Sequence, residues 1–127
     1  DADHWDVIEG QGSLYHPGYA AVTLGLLHGS QPDGFVICHE AGRTMIEGFP
    51  GFQLPTIPQL IEQTIAAGRV TSPDIQCVGI SLNTSTLPAE DRADYRAKIS
   101  DELELPCVDP VATGVGPIVD YIVATFD

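Results

Sequence analysis

Short apolar runs alternate with longer amphipathic stretches along the chain, and this alternation most constrains what it can fold into. A strand–helix repeat of this kind favours a parallel sheet with helices on its faces. The sequence therefore predicts an α/β fold, a three-layer parallel sheet flanked by helices. The predicted strands are 5–9, 35–39, 75–82 and 107–108, and the predicted helices are 19–28, 57–67, 88–103 and 116–126.

The 127 residues have the usual length of one domain, and no linker separates two cores. We therefore expect a single α/β domain over residues 1–127. The first predicted strand starts almost at residue 1, and four parallel strands make a small sheet. We expect that the chain is a fragment of a longer protein or that another segment completes the sheet. An apolar sheet edge would then be exposed, and the chain would form a homo-oligomer.

The charge is strongly acidic, with 18 acidic against 5 basic residues and a net charge of −13. Such a surface repels the phosphates of nucleic acid and of anionic membranes. No run approaches the ~18 apolar residues of a membrane span, and the first residues do not resemble a signal peptide. The acidic surface could be a solvated face that aids solubility, or it could come from a high-salt cytoplasm, where salt screens the self-repulsion. We expect a cytoplasmic, halophilic protein. The three cysteines show no zinc or disulfide spacing and are predicted to be buried.

Polar or glycine-rich segments follow each of the four predicted strands. In parallel α/β folds, ligands bind outside the carboxyl ends of the strands. The sequence therefore predicts that any functional site lies where these segments meet. The segments are 9–13, 39–43, 83–85 and 109–116.

The first two of these segments contain the strongest candidates for catalytic and anion-binding groups. Glu9 follows a predicted buried strand, and the backbone amides of the next four residues could approach an anion. The alternative is a tight turn with a solvated glutamate. His39, Glu40 and Arg43 combine a base, an acid and an anion-binding group, although they could also form a local ion pair. The four amide donors belong to Gly10, Gln11, Gly12 and Ser13.

The last two segments have weaker signals. Thr113 and Gly114 precede a helix whose free N–H groups could bind an anion, or they could cap that helix. Asn83 could recognise an amide edge of a ligand, or it could begin a turn. The histidine spacings match no zinc pattern, so no metal site is predicted. The sequence also contains no Walker A phosphate-binding motif, G-x-x-x-x-G-K-[ST].

Three stretches together carry a family resemblance: VIEGQGSLYHP at 7–17, VTLGLLHGS at 22–30 and CHEAGR at 38–43. They resemble the C-terminal domain of the D-glutamate N-acetyltransferase-like family, also called domain of unknown function 1611. The match is almost unbroken from Asp6 to Arg43 and looser at 79–83 and 106–117. That domain is similar to P-loop NTPases of the dethiobiotin synthetase kind. The resemblance implies a P-loop NTPase-like C-terminal half, with the Walker A segment and another domain lying upstream. It therefore implies that this chain is the C-terminal part of a longer protein.

The resemblance implies acetyl transfer from acetyl-CoA to the amine of D-glutamate or a related amino acid. From residue chemistry we assign His39 or Glu9 as the base and Arg43 as the carboxylate clamp. The Gly10–Ser13 amides would be donors to the thioester oxyanion. A second hypothesis is an ATP- or GTP-dependent ligase or kinase-like enzyme with Glu9 on Mg²⁺. A third is a non-catalytic domain that binds a partner.

Overall fold

The computed structural model describes residues 4–126 and contains three strands and four α-helices. No helix in this range is long and apolar enough to cross a membrane. A short 3₁₀-helix, Ala89–Asp91, precedes the third α-helix where the sequence predicted one continuous helix from residue 88. The strands are β1 Gly34–Glu40, β2 Gln76–Asn83 and β3 Cys107–Val108; the helices are α1 Ala20–Ser30, α2 Ile57–Gly68, α3 Arg92–Leu103 and α4 Gly116–Phe126.

The three strands form a parallel sheet in the order β1-β2-β3. The helix α2 connects β1 to β2, and α3 connects β2 to β3, as parallel pairing requires. The predicted α/β fold is therefore confirmed. Because the strands are parallel, their carboxyl ends lie together at one end of the sheet, and the segments that follow them converge there.

One face of the sheet packs against α2 and α3. Ile37, Ile80 and Leu82 are buried there, and the last two have no exposed surface. The predicted apolar stripe of α3, at positions i, i+4 and i+8, packs against this core. These stripe residues are Tyr95, Ile99 and Leu103.

The opposite face packs against α4. Gly79 allows this close approach, since a Cβ atom at that position would lie 2.7 Å from Cγ1 of Ile118. Further along β1, Cys38 is exposed. The prediction of three buried cysteines is therefore wrong for Cys38, because α4 does not cover the carboxyl ends of the strands on this face.

The predicted first strand, 5–9, is also wrong. Residues 4–10 have no regular secondary structure and are exposed. Val7 is 96% exposed, and the Trp5 ring makes an edge contact with the Phe126 ring of α4, with ring centroids 6.1 Å apart. A strand forms only where a neighbouring edge pairs its backbone groups, and within the described residues no strand lies beside this segment.

Candidate functional site

A cavity of about 680 Å³ lies at the carboxyl ends of the three strands. The last residues of β1 and β2 form its base, and the segments after β2 and β3 form its walls. The cavity therefore lies where three of the four predicted segments meet, whereas the segment 9–13 does not line it. The lining residues are Cys38, His39, Glu40, Ser81, Leu82, Asn83, Ser85, Arg92, Asp109, Pro110, Val111 and Ala112.

Asp109 holds two walls of this cavity together. Its Oδ2 accepts hydrogen bonds from the backbone N–H (3.0 Å) and the hydroxyl (2.5 Å) of Thr84, which is fully buried. Its Oδ1 accepts from the backbone N–H groups of Val111 and Ala112, both at 3.1 Å. The Thr84 hydroxyl is the largest cause that lowers the pKa of Asp109 to about 2, while burial opposes the shift. Asp109 is thus an ionised structural carboxylate with both oxygens occupied.

His39 lies at the end of β1 and is partly buried. Burial lowers the pKa of its imidazole, the positive charge of Arg43 lowers it further, and Glu40 partly opposes both effects. The ring is therefore neutral at pH 7, which is the form that accepts a proton. His39 lines this cavity and also a smaller pocket beside α2 and α3, next to Thr56, Tyr95 and Ile99. Its role as a base stays a prediction.

Arg43 lies beside the cavity but is not among its lining residues. Its guanidinium forms ion pairs with Glu40 and with Glu47, the latter at 3.1 Å. Glu40 lines the cavity, so Arg43 pairs with one of its lining residues. The structure therefore contains the local ion pair that was the alternative interpretation of this segment.

The segment 9–13 lies away from the cavity and packs against the start of α1. The carbonyl of Gly12 accepts a hydrogen bond from the Thr23 hydroxyl at 3.2 Å, and Tyr19 packs close to the same glycine. None of these residues lines the cavity beside His39 or Asn83. Their assigned roles stay predictions, and the structure of residues 4–126 does not bring them to the other candidates. The residues concerned are Glu9, Gly10, Gln11, Gly12 and Ser13.

Asn83 lines the cavity and also begins a turn, because its Oδ1 accepts the backbone N–H of Ser85 at 3.0 Å. Thr113 and Gly114 follow the lining residues without lining the cavity themselves. The Thr113 hydroxyl donates to the carbonyl of Asp109 at 3.0 Å, and Gly114 has a φ of 77°. These two residues shape the turn before α4, and their cofactor-binding role stays a prediction.

Arg92 is a lining residue to which the sequence analysis assigned no role. Its one signal in the sequence is rarity, since the chain has only five basic residues. The structure adds that Arg92 is the first residue of α3, where a positive charge is disfavoured by the helix dipole.

Histidines elsewhere in the chain have structural contacts. His28 Nε2 is hydrogen-bonded to the carbonyl of Ala67 at 2.8 Å and so joins α1 to α2. His16 packs between the rings of Tyr19 and Phe49. Within residues 4–126, no group of three or more His, Cys, Asp or Glu side chains is arranged to hold a metal ion.

Residues 1–119 match the family model described as "Domain of unknown function (DUF1611_C) P-loop domain". The chain is 52% identical over 116 residues to a D-glutamate N-acetyltransferase from Pseudoalteromonas sp, covering 91% of this chain and 35% of that protein. It is 41% identical over 124 residues to a D-glutamate N-acetyltransferase from Tritonibacter scottomollicae, covering 98% of this chain and 37% of that protein.

A crystal structure of a DUF1611 family protein from Anabaena variabilis ATCC 29413 has a similar fold. The TM-score is 0.83 at 35% identity, and the match covers 92% of this chain and 34% of that chain. The chain thus spans about a third of the length of the proteins it matches. Sequence and fold together place this chain in the DUF1611 family, and it corresponds to the family's C-terminal P-loop domain.

Proposed function

We propose that this chain is the C-terminal domain of an N-acetyltransferase that moves an acetyl group from acetyl-CoA to D-glutamate or a related amino acid. The observation that carries the proposal is the 52% identity to the Pseudoalteromonas D-glutamate N-acetyltransferase, over 91% of this chain. The cavity at the carboxyl ends of the strands supplies a place for the acceptor amino acid.

The chemistry requires a base at the acceptor. The amino group of an amino acid is protonated at neutral pH and must lose a proton before its nitrogen attacks the thioester carbonyl. The nitrogen then forms the amide bond while the thiolate of CoA leaves. His39 is the stronger candidate for this step, since its lowered pKa favours the neutral imidazole and it lines this cavity as well as the smaller pocket beside α2 and α3. Glu9 lies outside the cavity and is the weaker candidate.

Acetyl-CoA carries phosphates that this chain is poorly equipped to hold. The sequence has no Walker A motif, and its one lysine, Lys98, lies outside the cavity lining. We therefore place the phosphates of acetyl-CoA on the N-terminal part of the full-length protein, and the acceptor in the cavity of this domain. Acetyl-CoA itself supplies the activated acetyl group.

A second candidate is an ATP- or GTP-dependent ligase or kinase-like enzyme with Mg²⁺. The description of the matching family model as a P-loop domain favours it, because P-loops bind nucleoside phosphates. Glu9, the residue assigned to Mg²⁺, lies at the surface and does not line the cavity, so it supplies no metal ligand there.

The test uses the full-length protein with acetyl-CoA and D-glutamate, and follows release of the CoA thiol. Separate titrations with acetyl-CoA and ATP distinguish the two candidates. Replacement of His39 by Gln should lower kcat by about 10²–10⁴, the usual contribution of a general base. His28→Gln is the matched control, because His28 bonds to α2 away from the cavity. Binding of ATP without thiol release would favour the second candidate.

A further inference from the structure

Arg92 is the only lysine or arginine among the residues that line the cavity. Its guanidinium donates from Nε to the carbonyl of Leu87 at 3.0 Å and from Nη2 to the carbonyl of Ser85 at 3.1 Å. Both acceptors are backbone carbonyls, so these bonds hold the guanidinium in place without neutralising its charge. Within residues 4–126, Arg92 forms no ion pair with a carboxylate.

The two bonds use one edge of the guanidinium. Nε and Nη2 share the side edge, whereas the outer edge carries the remaining hydrogens of Nη1 and Nη2. A guanidinium has five N–H donors, so three are left for another partner. The outer edge can give two parallel hydrogen bonds to a carboxylate, and its orientation is already fixed by the backbone contacts.

The carboxylates of the cavity do not compete for Arg92. Glu40 is paired with Arg43, and both oxygens of Asp109 are occupied by donors from the protein. Asn83 adds a second donor to the same cavity, because its Oδ1 is bonded to Ser85 and its amide nitrogen is left to donate. The cavity therefore offers a ligand one guanidinium without an ion-pair partner and one amide donor, in the same cavity as the charge of Asp109, whose oxygens are occupied.

We propose that Arg92 and the amide nitrogen of Asn83 bind a carboxylate of the acceptor amino acid, an inference that rests on the proposed acetyltransferase function. One planar cation with a neighbouring amide matches the two oxygens of a single carboxylate. In a chain of net charge −13, an anionic acceptor is repelled at long range, so a local cation decides whether it binds. This moves anion recognition from Arg43, whose charge is already paired, to Arg92.

The experiment is calorimetric titration of the full-length protein with glutarate. Glutarate has the two carboxylates of glutamate but no amine, so it reports binding without acetyl transfer. We expect Arg92→Gln to weaken glutarate binding at least tenfold, the usual effect of losing a charge-assisted pair. Arg96→Gln is the control, since Arg96 lies one turn further along α3 and does not line the cavity. Wild-type protein that does not bind glutarate, or equal binding by wild type and Arg92→Gln, overturns the proposal.

Arg92 also holds the segment after β2, so a second readout separates recognition from local structure. We would compare kcat/KM for D-glutamate with that for its α-amide and γ-amide. In Arg92→Gln, the preference for D-glutamate over one of these amides should fall at least tenfold, and Arg92→Lys should restore part of it. An equal loss for all three substrates overturns the proposal. Absence of acetyl transfer to any amino acid would instead refute the proposed function, while the glutarate titration would still decide the role of Arg92.

Discussion

Replacement of Asp109 by Asn tests how the cavity is held together. The carboxylate accepts four hydrogen bonds, two from Thr84 and one each from the backbone of Val111 and Ala112. Asparagine has a single acceptor oxygen. Its NH₂ group must therefore face either the N–H of Thr84 or the N–H groups of Val111 and Ala112, and those donors lose their acceptor. Each bond to a charged acceptor contributes about 1.5–3 kcal/mol, and the rotatable Thr84 hydroxyl recovers part of the loss. We expect the free energy of unfolding to fall by about 3 kcal/mol at pH 7.

The effect should depend on pH in a defined direction. The pKa of Asp109 is lowered from 3.8 to about 2 in the folded protein, so its contribution is fully present above pH 4. That contribution is lost as the pH falls from about 4 to about 2. Urea unfolding of wild type and Asp109→Asn at several pH values should therefore give a constant difference between pH 5 and 8 that shrinks below pH 4.

The matched control is Asp101→Asn, which makes the same change of charge at an exposed position of α3. It should change the free energy of unfolding by less than about 0.5 kcal/mol. A difference below about 1 kcal/mol for Asp109→Asn at pH 7, or an undiminished difference at pH 2.5, would refute the structural role assigned to this carboxylate.

The other predictions concern packing, salt and association. Gly79→Ala should destabilise the fold by about 2 kcal/mol in thermal or urea unfolding, because its Cβ would lie 2.7 Å from a buried Ile118 side chain. Gly25→Ala, in an open position of α1, should instead be neutral or stabilise by up to about 1 kcal/mol. The melting temperature should rise as KCl is raised from about 0.1 M to about 1 M, because the Debye length falls from ~10 to ~3 Å and the acidic side chains repel one another less. A melting temperature that does not change with KCl would count against a halophilic origin. The isolated chain should self-associate in light scattering through apolar residues such as Val7, and Val7→Asp should reduce the measured mass; a monomer would contradict this prediction.

Local pattern in the sequence was sufficient for most of the fold. The apolar run at 75–82 became β2, and the i, i+4 spacing of Tyr95 and Ile99 placed α3 on the core. These features depend on periods of two or 3.6 residues, which neighbouring residues in the chain display without knowledge of the rest. The same reasoning placed the candidate site at the carboxyl ends of the strands, where the structure has a cavity, since parallel pairing brings those ends together.

Contacts between distant residues decided the remainder. Residues 5–9 have the composition of a strand, but a strand also needs a paired edge, and only the tertiary structure reveals whether one lies beside it. Arg43 has the chemistry of a carboxylate clamp, yet Glu40 and Glu47 already neutralise it. The sequence pattern likewise does not indicate that Thr84 bonds to Asp109, 25 residues further along the chain. It also does not indicate that Arg92 bonds to backbone carbonyls and keeps one edge free. Periodicity thus determines which elements form, whereas the partners of each charged group depend on how those elements pack.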